Sequence, residues 1–361
     1  MKIVYIIEEL CGGGKERRLV ELLRGLNKVN NFELHLIVAK TNNYYPEVDE
    51  LPITIHYLKA FSNLALIRQY YLILKRIKPD IVHTWSFKTS IYAAILKSLL
   101  NYTLIAGFIS NTFGHSKKLE ILSDLLIYRQ SDKVVSNSKA GLIAYKVPDN
   151  KGYVINNGFD LQRLGKRNNA KQLLKALGIN SNFTVIMVAN VTPKKDYETF
   201  IKVALTVTRQ HRDVTFLSIG IIRKEFNKMV LPYIDNKHNK IKFIGFNKKA
   251  VDIIQECDIG VLCSEREGIS NSIIEYMAAG LPVVTTDLKG ASSELLTNNV
   301  HGFICNKQEV SNKLVLLLND KSLRSQIGNN NSERIKKRFS IEAMTTKHSA
   351  MYKQLYKTKI I

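Results

Sequence analysis

Short apolar runs alternate with segments of helical apolar spacing along the chain. Residues 2–7 form a β-prone run, and leucines at 19, 22, 23 and 26 follow with the three- and four-residue spacing of a helix. A second helix is predicted over 64–77 and ends before Pro79. Strands are predicted at 2–7, 33–38, 53–57, 80–83, 103–109 and 133–136. Strands that alternate with helices indicate a parallel sheet covered on both faces.

The pattern breaks and then starts again in the second half. Residues 156–160 are rich in turn formers and 165–169 are polar and basic, which places a domain linker near 160–170. Beyond it, helices are predicted at 197–209 and 271–279, and strands at 185–189, 215–219, 241–244, 259–262 and 283–285. The sequence therefore predicts an α/β protein of two βαβ domains. Ligands of such sheets bind at the carboxyl ends of the strands, and here also between the domains.

The composition is that of a soluble globular protein. The 361 residues are 45% hydrophobic and 23% charged, which excludes a disordered or fibrous class. No apolar run reaches the ~18–20 residues of a membrane span, and the first ten residues do not resemble a signal peptide. The cysteines at 11, 257, 263 and 305 form no Cys-x-x-Cys pair, which argues against a zinc ribbon or a disulfide scaffold. We therefore expect a cytoplasmic protein.

The charge balance is strongly basic. Lysine and arginine number 53 against 31 acidic residues, which gives a net charge of +22. Such a charge fits nucleic acid, an anionic membrane surface or a negatively charged small substrate. No helix-turn-helix, RNP-like or zinc-finger pattern accompanies it, so we expect no nucleic-acid partner.

The segment most informative about chemistry leads from a predicted strand into the helix over 271–279. Glu267 lies in its loop and Glu275 in the second turn of the helix, and both can face one cleft. The free N–H groups of 268–272 suit a phosphate or a sugar hydroxyl. Two carboxylates beside such amides match a polyhydroxylated ligand. Taken alone, two glutamates at this spacing are also compatible with solvated surface.

The segment resembles the Glu-x7-Glu motif of the family 4 glycosyltransferases, which are retaining enzymes of the GT-B fold. The resemblance covers nearly the whole chain, and its further motifs lie at 12–16, 79–83, 135–140, 157–160, 188–196, 243–246 and 290–294. It implies two Rossmann-like domains that face each other across a deep cleft. The first, 1–165, would lie on the acceptor side, with a C-terminal helix at about 340–361 packed back on it. The second, 166–339, would bind a nucleotide-sugar donor.

The resemblance also implies roles for individual residues. Glu275 would bind the ribose hydroxyls of the donor, and Glu267 would hold the hydroxyls of the transferred sugar. Lys195 would bind the diphosphate and offset its charge as it leaves. The implied donor-binding residues are Gly13, Gly14, Asn190, Lys195, Phe246, Gly268, Ile269, Ser270, Asn271 and Glu275, and the catalytic candidates are Glu267, Lys195 and His115.

Two positions depart from the family pattern. Asn190 stands where many members carry an arginine, and the replacement charge could come from Arg266, Lys194 or Arg223. Ser110 and Asn111 stand where relatives often have histidine or arginine. His115 could substitute for that residue, or it is a loop histidine without a role.

The chain contains no Asp-x-Asp pair, the motif that brings a divalent metal to the diphosphate in the other large transferase fold. The resemblance thus implies transfer without a metal or any other cofactor. Basic and aromatic residues of the first domain, together with the net charge, suggest a peripheral enzyme at the anionic inner face of the plasma membrane. These residues are Tyr44, Tyr45, Lys88, Lys117, Lys118, Tyr128 and Arg129.

We therefore expect a retaining transferase that moves a hexose or N-acetylhexosamine from a nucleotide diphosphate sugar, in our reading a UDP-sugar, to a saccharide on a lipid-linked acceptor. Its products would be surface polysaccharides such as capsule or lipopolysaccharide. A nucleotide-sugar 2-epimerase and a non-catalytic nucleotide-sugar-binding subunit remain as alternatives. A nicotinamide oxidoreductase is disfavoured, because the glycines at 12–14 do not form Gly-x-Gly-x-x-Gly.

Overall fold

The chain folds into two compact units. A computed structural model describes residues 1–11, 14–29, 32–41, 43–59, 62–165, 171–223, 225, 227–234 and 240–360. Unit 1 consists of Met1–Gly158 and Ile341–Ile361, and unit 2 of Phe159–Ser340.

The first residues of unit 2 form hydrogen-bonded structure rather than an extended linker. Phe159 N donates to Phe339 O at 2.7 Å, so the first residue of unit 2 is tied to its last turn. Asp160 then caps a 3-10 helix, Leu161–Arg163, by accepting from Gln162 N at 3.0 Å. The change of unit at 158/159 therefore lies before the polar segment in which the sequence analysis placed the linker.

Unit 1 alternates strands with helices, and its strands form a parallel sheet. Within the described residues the sheet has seven strands in the order β3-β2-β1-β4-β5-β6-β7. Its elements are β1 (Lys2–Ile7), α1 (Gly14–Asn27), β2 (Glu33–Val38), β3 (Thr54–Tyr57), α2 (Asn63–Ile77), β4 (Ile81–Thr84), α3 (Phe87–Lys97), β5 (Thr103–Ile109), α4 (Lys118–Gln130), β6 (Lys133–Ser136), α5 (Lys139–Ala144) and β7 (Gly152–Val154).

The core of unit 1 lies on both faces of this sheet. Successive side chains of a strand point to opposite faces, so β1 supplies both cores. Ile3 and Tyr5 pack with the leucines of α1, whereas Val4 and Ile6 pack with residues of α2, α3 and α4. The near-continuous apolar run of β1 is what a strand covered on both sides requires.

Unit 2 repeats the same architecture. Within the described residues its parallel sheet has six strands in the order β10-β9-β8-β11-β12-β13. Its elements are α6 (Gln172–Ala176), β8 (Phe183–Val188), α7 (Tyr197–Gln210), β9 (Val214–Ile219), α8 (Asn227–Ile234), β10 (Ile241–Phe243), α9 (Ala250–Glu256), β11 (Ile259–Leu262), α10 (Asn271–Ala278), β12 (Val283–Thr286), α11 (Ala291–Leu295), β13 (Gly302–Cys305), α12 (Val310–Asn319) and α13 (Lys321–Arg338).

The strand order of unit 2 reverses between β8 and β11. These strands are direct neighbours, with Val185 opposite Ile259. The chain leaves β8 toward β9 on one side and leaves β11 toward β12 on the other, which opens a crevice at their carboxyl ends. The loop that carries Lys195 begins at the end of β8, and the loop that carries Glu267 begins at the end of β11.

The last helix, α14 (Ile341–Ile360), belongs to unit 1 and packs against α1. Met344, Met351 and Tyr352 join the core that contains Ile3 and Tyr5. The Tyr352 hydroxyl also lies 2.8 Å from both the Tyr5 hydroxyl and Nδ1 of the buried His83. Helix α14 is therefore held to the sheet both by apolar burial and by the hydrogen bonds of Tyr352.

The α/β class and the two parallel sheets predicted from the alternating pattern are confirmed. The predicted strands agree with the observed ones within two residues, but β7 and β13 were missed. Each is the last strand at one edge of its sheet.

Candidate functional site

Two charged side chains meet where β8 and β11 end. Lys195 follows β8 and precedes Asp196, the N-cap of α7, whereas Glu267 lies in the loop between β11 and α10. Lys195 Nζ forms an ion pair with Glu267 Oε1. Adjacent parallel strands end at the same edge of the sheet, so residues 72 positions apart come together there.

Hydrogen bonds join the two loops and fix the position of Glu267. The buried Ser264 hydroxyl lies 2.9 Å from Lys194 O and 3.2 Å from Glu267 Oε1. Glu265 N donates to the same Lys194 carbonyl at 3.1 Å. The two loops that carry the ion pair are therefore joined by one main-chain hydrogen bond and by the Ser264 hydroxyl, which also contacts the Glu267 carboxylate.

Lys195 has an unusual electrostatic environment. Its side chain is 22% exposed and that of Glu267 is 19% exposed. Removal from water disfavours the ammonium and lowers the pKa of Lys195 to about 8. The adjacent Glu267 carboxylate favours the ammonium and opposes this shift, and a second anion placed beside Lys195 would favour the protonated form further.

Glu275 lies on α10 and has a cation of its own. Its Oε1 is 3.7 Å from Arg163 Nη2, and the two side chains are 13% and 22% exposed. The Arg163 guanidinium carbon lies 5.1 Å from the centroid of the buried Phe159 ring. Arg163 was not predicted from the sequence, although the Asn-Gly-Phe-Asp motif just before it indicated a structured turn.

Helix α10 is fixed to the last residue of β8. Ser272 Oγ donates to Val188 O at 2.7 Å, and Val188 N donates to the Tyr276 hydroxyl at 2.6 Å. The Tyr276 ring lies directly over Gly260 of β11, where an added Cβ would come within 2.3 Å of the ring. The missing side chain at Gly260 thus lets α10 pack close to the sheet and carry Glu275 to the crevice.

The turn before α10 is enclosed. Gly268, Ile269 and Ser270 are buried, and Asn271 is the first residue of the helix. Asn190 is exposed, and its Oδ1 accepts from Ile221 N at 2.9 Å. Asn190 therefore joins the loops after β8 and β9, at the position where the family resemblance predicts an arginine.

Phe246, the remaining donor-binding candidate of unit 2, lies at the same edge of the sheet. It follows Gly245, whose carbonyl accepts from Gly220 N at 2.9 Å, and it keeps 61% of its surface exposed. The three cations considered as substitutes for the family arginine are all exposed: Lys194, Arg223 and Arg266.

His115 of unit 1 is held by a carboxylate. Its Nδ1 lies 2.8 Å from Asp124 Oδ2, and the ring contacts Phe87 and Tyr145 at centroid distances of 4.3 and 4.9 Å. Burial raises the pKa of Asp124, and the bond to His115 opposes that shift. The Asp124 bond to Nδ1 leaves Nε2 as the second functional nitrogen of the ring. Asp124 was not predicted from the sequence, because nothing in its spacing distinguishes it from a surface residue.

The other candidates of unit 1 are less informative. Gly14 is the exposed first residue of α1, and Gly13 lies outside the described residues. Ser110 is exposed at the end of β5.

The basic and aromatic residues suggested as a membrane-facing set need one correction. Tyr45 and Tyr128 are buried, at 6% exposure each, because their rings pack into the two cores of unit 1. The members of the set that are exposed are Tyr44, Lys88, Lys117, Lys118 and Arg129.

The described residues contain neither a cluster of metal-binding side chains nor a membrane-spanning helix. No three His, Cys, Asp or Glu side chains lie together in a metal-binding arrangement there. Likewise, none of the helices in those residues has the length and apolar character to cross a membrane.

Comparison with known protein families gives two matches that together cover most of the chain. Residues 12–163 match the family described as Glycosyltransferase Family 4, and residues 169–334 match Glycosyl transferases group 1. The two matches correspond to the two halves that the sequence analysis separated.

Individual relatives agree with these matches. The chain is 23% identical to the capsular polysaccharide biosynthesis glycosyltransferase CapM of Staphylococcus aureus, over 94% of this chain and 95% of CapM. It is 24% identical to the UDP-Gal:alpha-D-GlcNAc-diphosphoundecaprenol alpha-1,3-galactosyltransferase of Escherichia coli, over 85% and 88% of the two chains. Among solved structures, Anabaena HepE in complex with UDP superposes with a TM-score of 0.85 at 19% identity, over 98% of this chain and all of HepE.

Proposed function

The chain belongs to the family 4 glycosyltransferases, and we propose that it transfers a hexose or N-acetylhexosamine from a UDP-sugar to a lipid-linked saccharide with retention of configuration. Its product would be a surface polysaccharide such as capsule or lipopolysaccharide. Support for the donor comes from HepE, which was solved with UDP and with UDP-glucose. Support for the acceptor comes from the Escherichia coli relative, whose name specifies a diphosphoundecaprenol-linked sugar.

The observation that carries the proposal is the ion pair of Lys195 and Glu267 at the carboxyl ends of β8 and β11. This is where parallel sheets of this type bind their ligands. We assign Lys195 to the diphosphate and Glu267 to the hydroxyls of the transferred sugar. Glu275, carried by α10 from the same loop, is assigned to the ribose, and the exposed ring of Phe246 to the uracil.

The proposed reaction needs no protein nucleophile. The bond from the sugar C1 to the diphosphate oxygen breaks, and the acceptor oxygen forms a bond to C1 on the same face. The acceptor proton passes to the departing diphosphate. Lys195 stabilises the negative charge that develops on the diphosphate, and its ammonium is positioned in advance by Glu267.

His115 is assigned to the acceptor in this proposal. The Asp124 carboxylate fixes its ring, so Nε2 can donate to or accept from an acceptor hydroxyl. The proposal includes transfer without a divalent metal, because Lys195 and the backbone amides at the start of α10 would offset the diphosphate charge. It also includes a cytoplasmic location at the inner face of the plasma membrane, supported by the net charge of +22.

The test is transfer with a defined acceptor. The purified chain is incubated with UDP-glucose, UDP-galactose and their N-acetylated counterparts and a polyprenyl diphosphate-linked saccharide, with Mg²⁺ or with EDTA. We expect one donor to give a product whose new linkage keeps the α configuration by NMR, in EDTA as well as in Mg²⁺. Absence of transfer from every donor would refute the acceptor and donor assignments, and C2 inversion of the donor alone would indicate the epimerase.

Two variants connect the activity with the site. Lys195→Met is expected to abolish transfer because the diphosphate loses its cation. Lys202→Met is the control, since Lys202 lies on α7 nearby and its side chain is 72% exposed. Equal activity of the two variants would contradict the role of Lys195.

A further inference from the structure

Helix α4 of unit 1 has an apolar face that the described chain leaves uncovered. Leu119, Ile121, Leu122 and Leu125 are 76%, 44%, 53% and 59% exposed, and we name these four residues the α4 outer face. At 100° per residue they lie within an arc of about 160°. The opposite side, which includes Asp124, is buried in the unit.

Besides Asp124, the buried side carries Ile127 and Tyr128, so the helix has large apolar side chains on both sides, as a helix that is covered on both sides does. Single exposed leucines are normal on protein surfaces, but four adjacent large apolar side chains indicate a binding surface. Since the inner side already packs in unit 1, the outer face requires another occupant.

The charges around the α4 outer face indicate which occupant fits. Lys117 and Lys118 are exposed at the beginning of the helix, and Arg129 is exposed at its end. Lys88 on the neighbouring helix α3 is exposed as well. The face is therefore apolar in the middle and cationic at both ends, the arrangement of helices that lie in the interface of an anionic bilayer.

A second copy of the chain fits this face poorly. Two outer faces in contact would bring the lysines of both copies together, and each copy carries a net charge of +22. The 13 residues of α4 extend over about 20 Å, which is shorter than the ~30 Å hydrocarbon core of a bilayer. The dimensions suit a helix that lies on a membrane.

We propose that the α4 outer face docks the protein on an anionic lipid bilayer, with its four apolar side chains below the headgroups and the basic residues among them. The inference rests on the proposed function and deepens it, because it names the surface that brings the enzyme to a lipid-linked acceptor. The inner side of the same helix carries Asp124, which holds His115. Docking would thus bring the helix that orients the proposed acceptor residue, His115, to the membrane surface.

The experiment compares two matched double variants in vesicle sedimentation. Leu119→Ser/Leu122→Ser removes two residues of the outer face that are 76% and 53% exposed. Leu64→Ser/Leu72→Ser removes two leucines of α2 in the same unit, 78% and 53% exposed. The probes are vesicles of phosphatidylcholine alone and of phosphatidylcholine with phosphatidylglycerol, at physiological salt.

We expect the unaltered protein to bind the vesicles that contain phosphatidylglycerol and not those of phosphatidylcholine alone. The α4 variant should bind about tenfold more weakly or worse, and the α2 variant should bind like the unaltered protein. Equal binding by the two variants would overturn the proposal, and so would a lack of binding by the unaltered protein. Dimerisation that the α4 variant abolishes, without vesicle binding, would assign the face to a second copy and likewise overturn it.

Two further readouts separate this proposal from the proposed function. Stabilisation by UDP should be the same in all three proteins, because the residues assigned to the diphosphate, the ribose and the uracil (Lys195, Glu275 and Phe246) lie in unit 2 and the changed leucines in unit 1. Transfer to a water-soluble acceptor analogue should also be unchanged in the α4 variant. Vesicle binding that depends on α4 in a protein without transferase activity would support docking and refute the function. Transfer to the soluble analogue without vesicle binding would refute docking and leave the function supported.

Discussion

Replacing Arg163 by glutamine tests whether Glu275 binds the donor ribose. The Arg163 guanidinium lies 3.7 Å from the Glu275 carboxylate, and both side chains are largely buried. At an effective dielectric constant of about 20, two unit charges at this distance attract by about 4 kcal/mol before desolvation and side-chain entropy are subtracted. A net value of roughly 1–2 kcal/mol is left to hold the carboxylate in one orientation.

The predicted consequence is a loss of ribose recognition. A carboxylate that accepts from ribose hydroxyls contributes about 1.5–3 kcal/mol, and only while it is oriented toward them. We expect Arg163→Gln to weaken UDP binding by about tenfold and binding of 2′-deoxy-UDP by about threefold or less. The preference for the ribonucleotide should therefore shrink, and Arg163→Lys should restore part of it.

The assay is isothermal titration of UDP and 2′-deoxy-UDP into the unaltered protein, Arg163→Gln, Glu275→Gln and the double variant. The two single changes should not add, because both act on one interaction. Equal weakening of UDP and 2′-deoxy-UDP by Arg163→Gln would refute the reasoning, since it would place Arg163 on the phosphates rather than behind Glu275. Full additivity of the two changes would refute it as well.

Three further predictions concern other parts of the molecule. UDP affinity should fall as pH rises above about 8, where Lys195 loses its proton, and Lys195→Met should remove this dependence in titrations between pH 7 and 9. Asp124→Asn should lower kcat at least about tenfold and change its pH profile, without changing UDP affinity, because it alters the tautomer and orientation of His115. Tyr352→Phe should lower the free energy of unfolding in urea by about 1–3 kcal/mol, because it leaves the buried His83 without its Nδ1 partner.

The fold was predictable because its signal is local and repeated. The β1 and β11 segments are short apolar runs, and the helices between the strands carry periodic leucines, so the α/β class follows from the sequence alone. Strands β7 and β13 lack this signal, since each begins with a glycine and has only two or three apolar residues. They form because neighbouring strands offer free edges to pair with, which is a tertiary cause.

Burial of individual aromatic residues was less predictable than the elements that carry them. Tyr45 and Tyr128 were expected on the basic surface with Tyr44, but only Tyr44 is exposed. Tyr128 faces inward from α4 and donates its hydroxyl to Tyr145 O at 2.8 Å, which lets a polar group enter the core. A tyrosine fits either environment, so its sequence position alone does not decide between them.

For the candidate site, sequence motifs predicted individual residues but not the ion pairs that they form. The resemblance predicted Lys195, Glu267 and Glu275 as site residues, but the ion-pair partner of each side chain depends on contacts between distant segments. Lys195 reaches Glu267 only because β8 and β11 are neighbours in a sheet whose order reverses between them. Arg163 reaches Glu275 from a 3-10 helix at the beginning of unit 2. Neither adjacency is encoded in a local pattern.

The pairing of Lys195 with Glu267 has a consequence for the order of events in the proposed reaction. A diphosphate brought to Lys195 competes with the Glu267 carboxylate for one ammonium group, and its larger negative charge favours it in that competition. Once Lys195 pairs with the diphosphate, Glu267 can accept hydrogen bonds from the hydroxyls of the sugar attached to it. Ser264, whose hydroxyl lies 3.2 Å from Glu267 Oε1, would keep the carboxylate in place during this exchange. Recognition of the diphosphate and of the sugar would then be coupled through one ion pair, so Glu267→Gln should weaken UDP-sugar binding more than UDP binding.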